Sequence, residues 1–215
     1  MRVVRGRGPT PTRDRELTQE LVRDVIETEQ SLLRVWQPHR QIVFGRRDAN
    51  RAGYDRARAI VHERGFPDLE RTVGGHAVCY TGTTVSFVRA RPVEEMRTGI
   101  TERYEQAIQD TRRALAELGV TATAGEPEGA FCPGTHSLSS EGKIVGLAQR
   151  ITQNTAIVAG IVVVRDHQEI ANVLAPVYDA LDITFDRDAT GSIARAGGDH
   201  ATEQVIRTLE DQLSH

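Results

Sequence analysis

Several residue types are scarce in this sequence, and each scarcity excludes a class of protein. Two cysteines, Cys79 and Cys132, among 215 residues cannot build a disulfide scaffold or a four-cysteine zinc site. The longest apolar run, residues 156–164, is too short to span a bilayer, and the basic N-terminus lacks the apolar core of a secretory signal. A net charge of −3 gives no reason to expect nucleic-acid binding. We therefore expect a soluble cytoplasmic protein without a membrane or nucleic-acid partner.

Lysine is the scarcest of the charged residues. Lysine and arginine together number 27, and Lys143 is the only lysine. Arginine stays protonated in proteins, whereas lysine is a compact ammonium group whose proton affinity responds to its surroundings. If arginine has replaced lysine wherever positive charge alone suffices, Lys143 occupies a position where it does not. The alternative is that a single lysine has persisted by chance.

The apolar pattern and the turn signals predict an α+β fold. The predicted elements are helices over residues 16–33, 50–63, 100–118, 167–181 and 202–213, a loop over 8–14, and strands over 2–5, 33–36, 41–44, 69–73, 76–80, 83–89, 136–140, 143–150 and 156–164. Residues 76–89 and 136–150 are predicted to form hairpins. We expect one domain over residues 1–215, with a mostly antiparallel or mixed sheet and helices packed on one of its faces.

Two adjacent glycines, Gly74 and Gly75, lie between predicted strands in the segment Arg71-Thr-Val-Gly-Gly-His-Ala-Val78. Glycine permits a positive φ and lets a ligand lie against bare backbone. A plain tight turn is the more ordinary explanation for such a pair.

A loop rich in glycine and proline, Gly129-Ala-Phe-Cys-Pro-Gly-Thr-His136, carries Cys132, whereas Cys79 lies in an apolar strand. A thiolate nucleophile needs partial exposure and a nearby positive charge, and Lys143 is the candidate for that charge. An ideal hairpin would place Lys143 at its tip and Cys132 near its open end, about 26 Å away. Residues 125–135 must therefore fold back for the two to meet.

The histidines offer weaker alternatives. Cys132 could pair with His76 or His136 as a nucleophile and its base. The same three residues could ligate zinc, although no recognised spacing supports such a site. The turn Arg46-Arg47-Asp48 could bind an anionic group, but a solvated turn is the more ordinary explanation.

Taken in order, these segments resemble the lipoate–protein ligase A and lipoyl/octanoyl transferase superfamily. Residues 33–48 are similar to the family's strand pair that ends in a Gly-Arg turn. Glu70-Arg-Thr-Val-Gly-Gly-His-Ala-Val78 is similar to Arg-x-Ser-Gly-Gly-x-Ala-Val, with Val73 in place of the serine. Glu141-Gly-Lys-Ile-Val-Gly-Leu-Ala-Gln-Arg150 is similar to Gly-Lys-Lys-x-x-Gly-x-Ala-Gln-Arg. Phe131-Cys-Pro-Gly-Thr-His-Ser-Leu-Ser139 most resembles the amidotransferase branch.

The resemblance implies the catalytic-domain fold of the biotin and lipoate protein ligases. Enzymes of the amidotransferase branch move an octanoyl or lipoyl group from the glycine-cleavage H protein to lysines of other lipoyl domains, such as those of the 2-oxoacid dehydrogenases. By position, the resemblance assigns the acyl thioester to Cys132 and the activation of that cysteine to Lys143. The expected substrate-binding residues are Arg71, Val73, Gly74, Gly75, His76, Ala77, Gly146 and Ala148.

Three functional hypotheses follow. The preferred one is acyl transfer through Cys132 without a resident cofactor or metal, the acyl chain lying in an apolar groove lined by Val73, Val85 and Ile144. The second is the catalytic subunit of an ATP- and Mg²⁺-dependent lipoate–protein ligase, which works with a separate accessory protein and uses Lys143 on an acyl-adenylate. The third is a non-catalytic paralogue that binds lipoate or lipoyl domains without turnover.

Overall fold

Two β-sheets organise the chain in the computed structural model, which describes residues 1–72, 74–95 and 98–215. The helices are α1 (Pro11–Thr28), α2 (Tyr54–Glu63), α3 (Ile100–Glu117), α4 (His167–Ala180) and α5 (Thr202–Leu213). The strands are β1 (Arg2–Val4), β2 (Leu32–Trp36), β3 (Gln41–Phe44), β4 (Asp68–Glu70), β5 (Val78–Tyr80), β6 (Val85–Pro92), β7 (Thr123–Ala124), β8 (Ser137–Ser139), β9 (Lys143–Thr152) and β10 (Thr155–Val162).

The larger sheet has the order β1-β2-β6-β10-β9-β8-β7, and the smaller has the order β4-β3-β5. In each sheet one edge pair is parallel, β1 with β2 and β4 with β3, and the other pairs are antiparallel. The α+β class and the mixed sheet are therefore confirmed.

Helices cover both faces of the larger sheet, so the prediction that they cover one face is wrong. Side chains alternate along β6: Val85 and Phe87 pack in the core with α3 and α5, whereas Val88 and Ala90 pack with α1 on the opposite side. Because β6 carries apolar side chains on both faces, helices can pack on both faces. The smaller sheet packs against α2 and α4 in a separate cluster.

Helix α1 begins at Pro11, within the segment that was predicted to be a loop. Proline is tolerated in the first turn of a helix because its missing N–H would have no intrahelical partner there. Thr10 caps the helix, its side-chain oxygen accepting a hydrogen bond from the Arg13 amide. The helix ends at Thr28, and the cap residue Glu29 has a φ of 56°. The residues predicted to be helical from 29 to 33 therefore belong to a short connection and to β2.

One of the two predicted hairpins is confirmed. Strands β8 and β9 pair as an antiparallel hairpin with a register shift at Leu138/Ser139. Strands β5 and β6 do not pair: β5 joins β3 in the smaller sheet and β6 joins β2 and β10 in the larger one. The Thr81–Thr84 turn between them therefore carries the chain from one sheet to the other. Across the described ranges, no helix combines the length and the apolar character needed to cross a membrane.

Candidate active site

Cys132 lies where its loop meets the smaller sheet and α4. The neighbouring Phe131 is buried in the cluster that these elements form, and Cys132 packs against that cluster with partial exposure. The φ of Cys132 is +42°, a conformation that non-glycine residues rarely adopt and that recurs at functional sites. Its amide donates to the Tyr178 hydroxyl at 2.6 Å, and that hydroxyl donates to the Ala77 carbonyl at 2.9 Å. Tyr178 thereby holds the cysteine loop against the start of β5.

The sulfur of Cys132 faces the glycine-pair segment. Arg71 Nη2 lies 3.3 Å from Sγ and the His76 amide nitrogen lies 3.4 Å from it. Arg71 also donates to the carbonyls of Gly74 at 3.1 Å and His76 at 2.7 Å, so the guanidinium closes the loop around the sulfur. This arrangement places a positive charge and a backbone N–H donor on one sulfur atom.

Gly75 is required by this arrangement for two reasons. Its φ is +86°, which glycine adopts without steric cost. A Cβ at this position would lie 2.7 Å from Arg71 Nη2 and 2.8 Å from Cys132 Sγ. The glycine pair is therefore more than a tight turn, because its bare backbone admits the sulfur.

Lys143 lies on the other side of Cys132, at the start of β9. Its side chain is 2% exposed, and Nζ donates to Glu126 Oε2 at 2.7 Å, to the Phe131 carbonyl at 3.0 Å and to the Cys132 carbonyl at 2.9 Å. An ammonium group has three N–H donors, and all three have acceptors here. Glu126 also accepts from the Gly134 amide at 2.6 Å, which ties the loop on both sides of Cys132.

The cysteine loop does fold back to Lys143, as the sequence required. Lys143 nevertheless contacts the backbone of Cys132. Among the described residues, the hydrogen-bond partners of Sγ are Arg71 and the His76 amide. The catalytic roles of Cys132 and Lys143 stay predictions.

Among the described residues, neither of the two candidate histidines has a ring hydrogen bond to the Cys132 sulfur. The His76 ring lies against Asp48, with Nδ1 2.7 Å from Oδ1, and the His136 ring stacks on Tyr104 at a centroid distance of 3.5 Å. Within the described ranges no three His, Cys, Asp or Glu side chains are grouped to hold a metal ion. Asp48 is fully buried, so the interpretation of its turn as solvated is wrong for this residue.

A cavity of about 320 Å³ opens between α1, the larger sheet and the smaller sheet. Arg71 lines it, so the guanidinium that contacts the Cys132 sulfur also borders the cavity. The apolar part of the wall comes from both sheets and α1. It includes Val22, Val43, Leu69, Val88, Ile157 and Ala159. Asp14 lies in the wall near Trp36 and accepts from its indole at 2.8 Å.

The prediction that Val85 and Ile144 line an acyl groove is wrong. Val85 and Ile144 are fully buried in the cluster with α3 and α5, so they cannot line a groove. Val73 lies outside the described residues. The period-2 pattern identifies an apolar face but does not say whether a helix covers it.

The other predicted binding residues divide into three groups. Ala148 lines the cavity. Gly74 is exposed in the glycine-pair segment, whereas Ala77 is fully buried and offers its carbonyl to Tyr178. A Cβ on Gly146 would lie 3.4 Å from Lys143 Cε, so this glycine makes room for the lysine stem.

Sequence reasoning gave no role beside Cys132 to three residues that organise the site: Asp48, Glu126 and Tyr178. Their roles depend on contacts between distant segments, and no local motif marks them. A tyrosine among the apolar positions of α4 is the one available signal, because a buried hydroxyl needs a partner. Burial raises the pKa of Tyr178 well above its ordinary value, so its hydroxyl stays protonated.

The fold and the cavity define an α+β domain in which Arg71 lines a small-molecule-sized cavity and contacts a half-buried cysteine. Residues 10–214 match the model of the lipoyl protein ligase A/B catalytic domain. The chain belongs to that family.

Curated relatives are similar to part of this chain. An octanoyl-[GcvH]:protein N-octanoyltransferase of Exiguobacterium sibiricum is 32% identical over 126 residues, which cover 58% of this chain and 46% of the relative. A lipoyl-[GcvH]:protein N-lipoyltransferase of Listeria monocytogenes is 26% identical over 121 residues, covering 56% of this chain and 44% of the relative. The matched part thus spans about half the length of these relatives.

Solved structures share the fold. Lipoate-protein ligase A bound with ATP superposes with a TM-score of 0.77 at 17% identity, covering 99% of this chain and 83% of the other. Protein Ta0514 of T. acidophilum with bound lipoic acid gives a TM-score of 0.72 at 18% identity, with 99% and 84% covered.

Proposed function

We propose that residues 1–215 form one catalytic domain that transfers an octanoyl or lipoyl group, through a thioester on Cys132, to a lysine of a lipoyl domain. The observation that carries the proposal is the position of the Cys132 sulfur. It lies within hydrogen-bond distance of Arg71 and the His76 amide, and Arg71 also borders the cavity.

The cavity supports an acyl substrate. Its volume of about 320 Å³ is at the small end of the usual range for small-molecule sites, roughly 300–1,000 Å³. Apolar side chains from two sheets and a helix would surround the chain of an octanoyl or lipoyl group. The acyl carbonyl would then lie at the Arg71 end, within reach of the sulfur.

The contacts on the sulfur support nucleophilic catalysis. Nearby positive charge favours the thiolate, which is the reactive form of cysteine. The His76 amide would also donate to the oxyanion that forms when the sulfur attacks a carbonyl carbon, a preorganised interaction that is usually a large part of catalysis. Splitting amide exchange into two acyl transfers is what a covalent nucleophile provides.

The surroundings of Lys143 favour the transferase over the ligase hypothesis. In a ligase this lysine would bind an acyl-adenylate, yet here its three donors are taken up by Glu126 and two loop carbonyls. We assign Lys143 the role of fixing the backbone of the Cys132 loop. The reaction exchanges one amide for another and therefore draws on no ATP.

The donor and acceptor are proposed from the relatives. The names of the Exiguobacterium sibiricum and Listeria monocytogenes proteins specify transfer of octanoyl and lipoyl groups with GcvH, the glycine-cleavage H protein. We propose acylated H protein as the donor and lipoyl domains of 2-oxoacid dehydrogenases as acceptors.

The test is transfer from octanoylated H protein to an acceptor lipoyl domain without ATP, followed by the mass of the acceptor. We expect transfer by the wild type and none by Cys132→Ala. Cys79→Ala is the matched control, because Cys79 is buried in the core and is not among the residues that line the cavity, so this variant should keep transferring.

Two outcomes would contradict the proposal. Octanoylation that requires ATP and free octanoate, and that survives Cys132→Ala, would identify a ligase. Tight binding of lipoate or a lipoyl domain without turnover from any donor would identify a binding protein.

A further inference from the structure

Asp48 and His76 form a polar pair beside Cys132. The Asp48 side chain is fully buried, and its Oδ2 accepts from the Gly45 amide at 3.0 Å. Its Oδ1 lies 2.7 Å from His76 Nδ1. A carboxylate at Nδ1 fixes the proton of a neutral imidazole there, which leaves Nε2 as the acceptor. Among the described residues, Nε2 has no hydrogen-bond partner.

The backbone of His76 lies next to the Cys132 sulfur, and the side chain of His76 is partly exposed. The backbone nitrogen of the same residue is 3.4 Å from Cys132 Sγ. The ring packs edge-on against Tyr178 at a centroid distance of 6.3 Å, and Tyr178 holds the Cys132 amide. The His76 side chain is 16% exposed, so an incoming amine can reach part of it.

The other ionisable groups around Cys132 are poor proton carriers. The Lys143 ammonium has all three of its protons in hydrogen bonds. Arg71 stays protonated at any ordinary pH. Burial raises the pKa of Tyr178, so it keeps its proton as well. Imidazole is the group here that can both give and accept a proton near neutral pH.

We propose that His76, oriented by Asp48, carries the proton in both halves of the acyl exchange, an inference that rests on the proposed function. In the first half the thiolate attacks the amide carbonyl of the donor. The C–S bond forms, the C–N bond breaks, and the amine leaves with a proton from the His76 imidazolium.

The second half reverses this proton transfer. The neutral ε-amine of the acceptor attacks the thioester carbonyl. The C–N bond forms, the C–S bond breaks with its electron pair on the sulfur, and the proton of the nitrogen passes to Nε2. His76 ends protonated and Cys132 ends as the thiolate, as both began.

The test compares two acyl donors on His76→Asn, whose side-chain amide can still donate to Asp48 but cannot titrate. Octanoylated H protein must release an amine, which needs a proton. The second donor, 4-nitrophenyl octanoate, releases a stable phenolate without one. We expect transfer from octanoylated H protein to fall about 100-fold or more, and acylation of Cys132 by the ester to change less than about threefold. Added imidazole should restore part of the transfer.

His62→Asn is the matched control, since His62 also pairs with an aspartate, Asp68, but on an exposed face. It should transfer from both donors at the wild-type rate. Normal ester acylation by His76→Asn shows that the site is folded. Asp48→Asn, which still offers an oxygen to the Gly45 amide, should show the same split between donors.

If His76→Asn lost activity equally with both donors, His76 would have a structural role and the inference would be wrong. The inference would also be wrong if His76→Asn transferred from octanoylated H protein at the wild-type rate. Failure of the proposed function is distinguishable. In that case the wild type itself would not transfer from octanoylated H protein.

Discussion

The two sides of Cys132 carry positive charges in different settings. On one side lies the ammonium cluster, which we define as Lys143, Glu126 and the carbonyls of Phe131 and Cys132. This cluster is buried: the lysine side chain is 2% exposed, and each of its three N–H donors has an acceptor. On the other side the guanidinium loop, consisting of Arg71 and residues 74–76, contacts the sulfur and borders the cavity. The ammonium cluster holds the backbone of the cysteine loop, and the guanidinium loop faces the sulfur of Cys132.

This difference separates stability from reactivity. A buried charge that loses its partner is costly, whereas a partly exposed charge is screened and contributes little to folding. Changes in the ammonium cluster should therefore appear first in the free energy of unfolding. Removing the charge of the guanidinium loop should appear first in the chemistry of Cys132.

The largest expected effect is that of Lys143→Ala. It leaves Glu126 and two loop carbonyls without their donor, and we expect a loss of about 3–5 kcal/mol in the free energy of unfolding. Urea denaturation followed by circular dichroism measures it. A variant as stable as the wild type would show that the cluster does not hold the loop.

Arg71→Ala should have the next largest effect. It removes the charge on the sulfur, so we expect octanoyl transfer to fall roughly 100-fold while stability changes by less than about 1 kcal/mol. Alkylation of Cys132 by iodoacetamide should slow as well. Arg47→Ala, on an exposed turn, is the control and should leave alkylation unchanged. If Arg71→Ala were alkylated at the wild-type rate, the guanidinium would not activate the Cys132 thiol.

Gly75→Ala should destabilise the guanidinium loop. A residue with a Cβ at a φ of +86° is strained, and the methyl group would lie within 3 Å of Arg71 Nη2 and of the sulfur. We expect the free energy of unfolding to fall by about 1–3 kcal/mol, which thermal unfolding measures. Gly74→Ala is the matched control, because a Cβ there meets nothing within 4 Å. Equal effects of the two substitutions would contradict this geometry.

The smallest expected effect is that of Tyr178→Phe, which removes the hydroxyl shared by the Cys132 amide and the Ala77 carbonyl. Because these buried groups would lose their partner, the free energy of unfolding should fall by about 1–3 kcal/mol, and by an amount at the lower end of that range if water reaches them. Chemical denaturation measures the change. An unaltered midpoint would mean that Tyr178 does not tie the loop to β5.

Much of the fold could be predicted from the sequence because local patterns determine it. The apolar periodicity of α3 and α5 and the turn between β8 and β9 identify those elements directly. The pairing of β5 could not be predicted, since alternation marks a strand but does not name its neighbour. The early start of α1 was missed because proline was interpreted as a helix breaker, although Pro11 occupies the first turn, where proline is permitted.

The parts of the candidate site that belong to local sequence motifs could be predicted. The unusual cysteine loop, the glycine pair and the only lysine all lie together, as the resemblance implied. The contact of Arg71 with the sulfur joins residues 61 positions apart, and the Asp48–His76 pair joins residues 28 apart. Such contacts arise from the packing of the two sheets, which no local spacing encodes.

A thioester on Cys132 is tested most simply by measuring the mass of the peptide that contains this residue. The protein is incubated with octanoylated H protein without an acceptor, quenched in acid, digested and measured by mass spectrometry. The account predicts an octanoyl group on the peptide that contains Cys132, released by hydroxylamine as a thioester is. An unmodified Cys132 under conditions in which acyl transfer to an acceptor proceeds would contradict it.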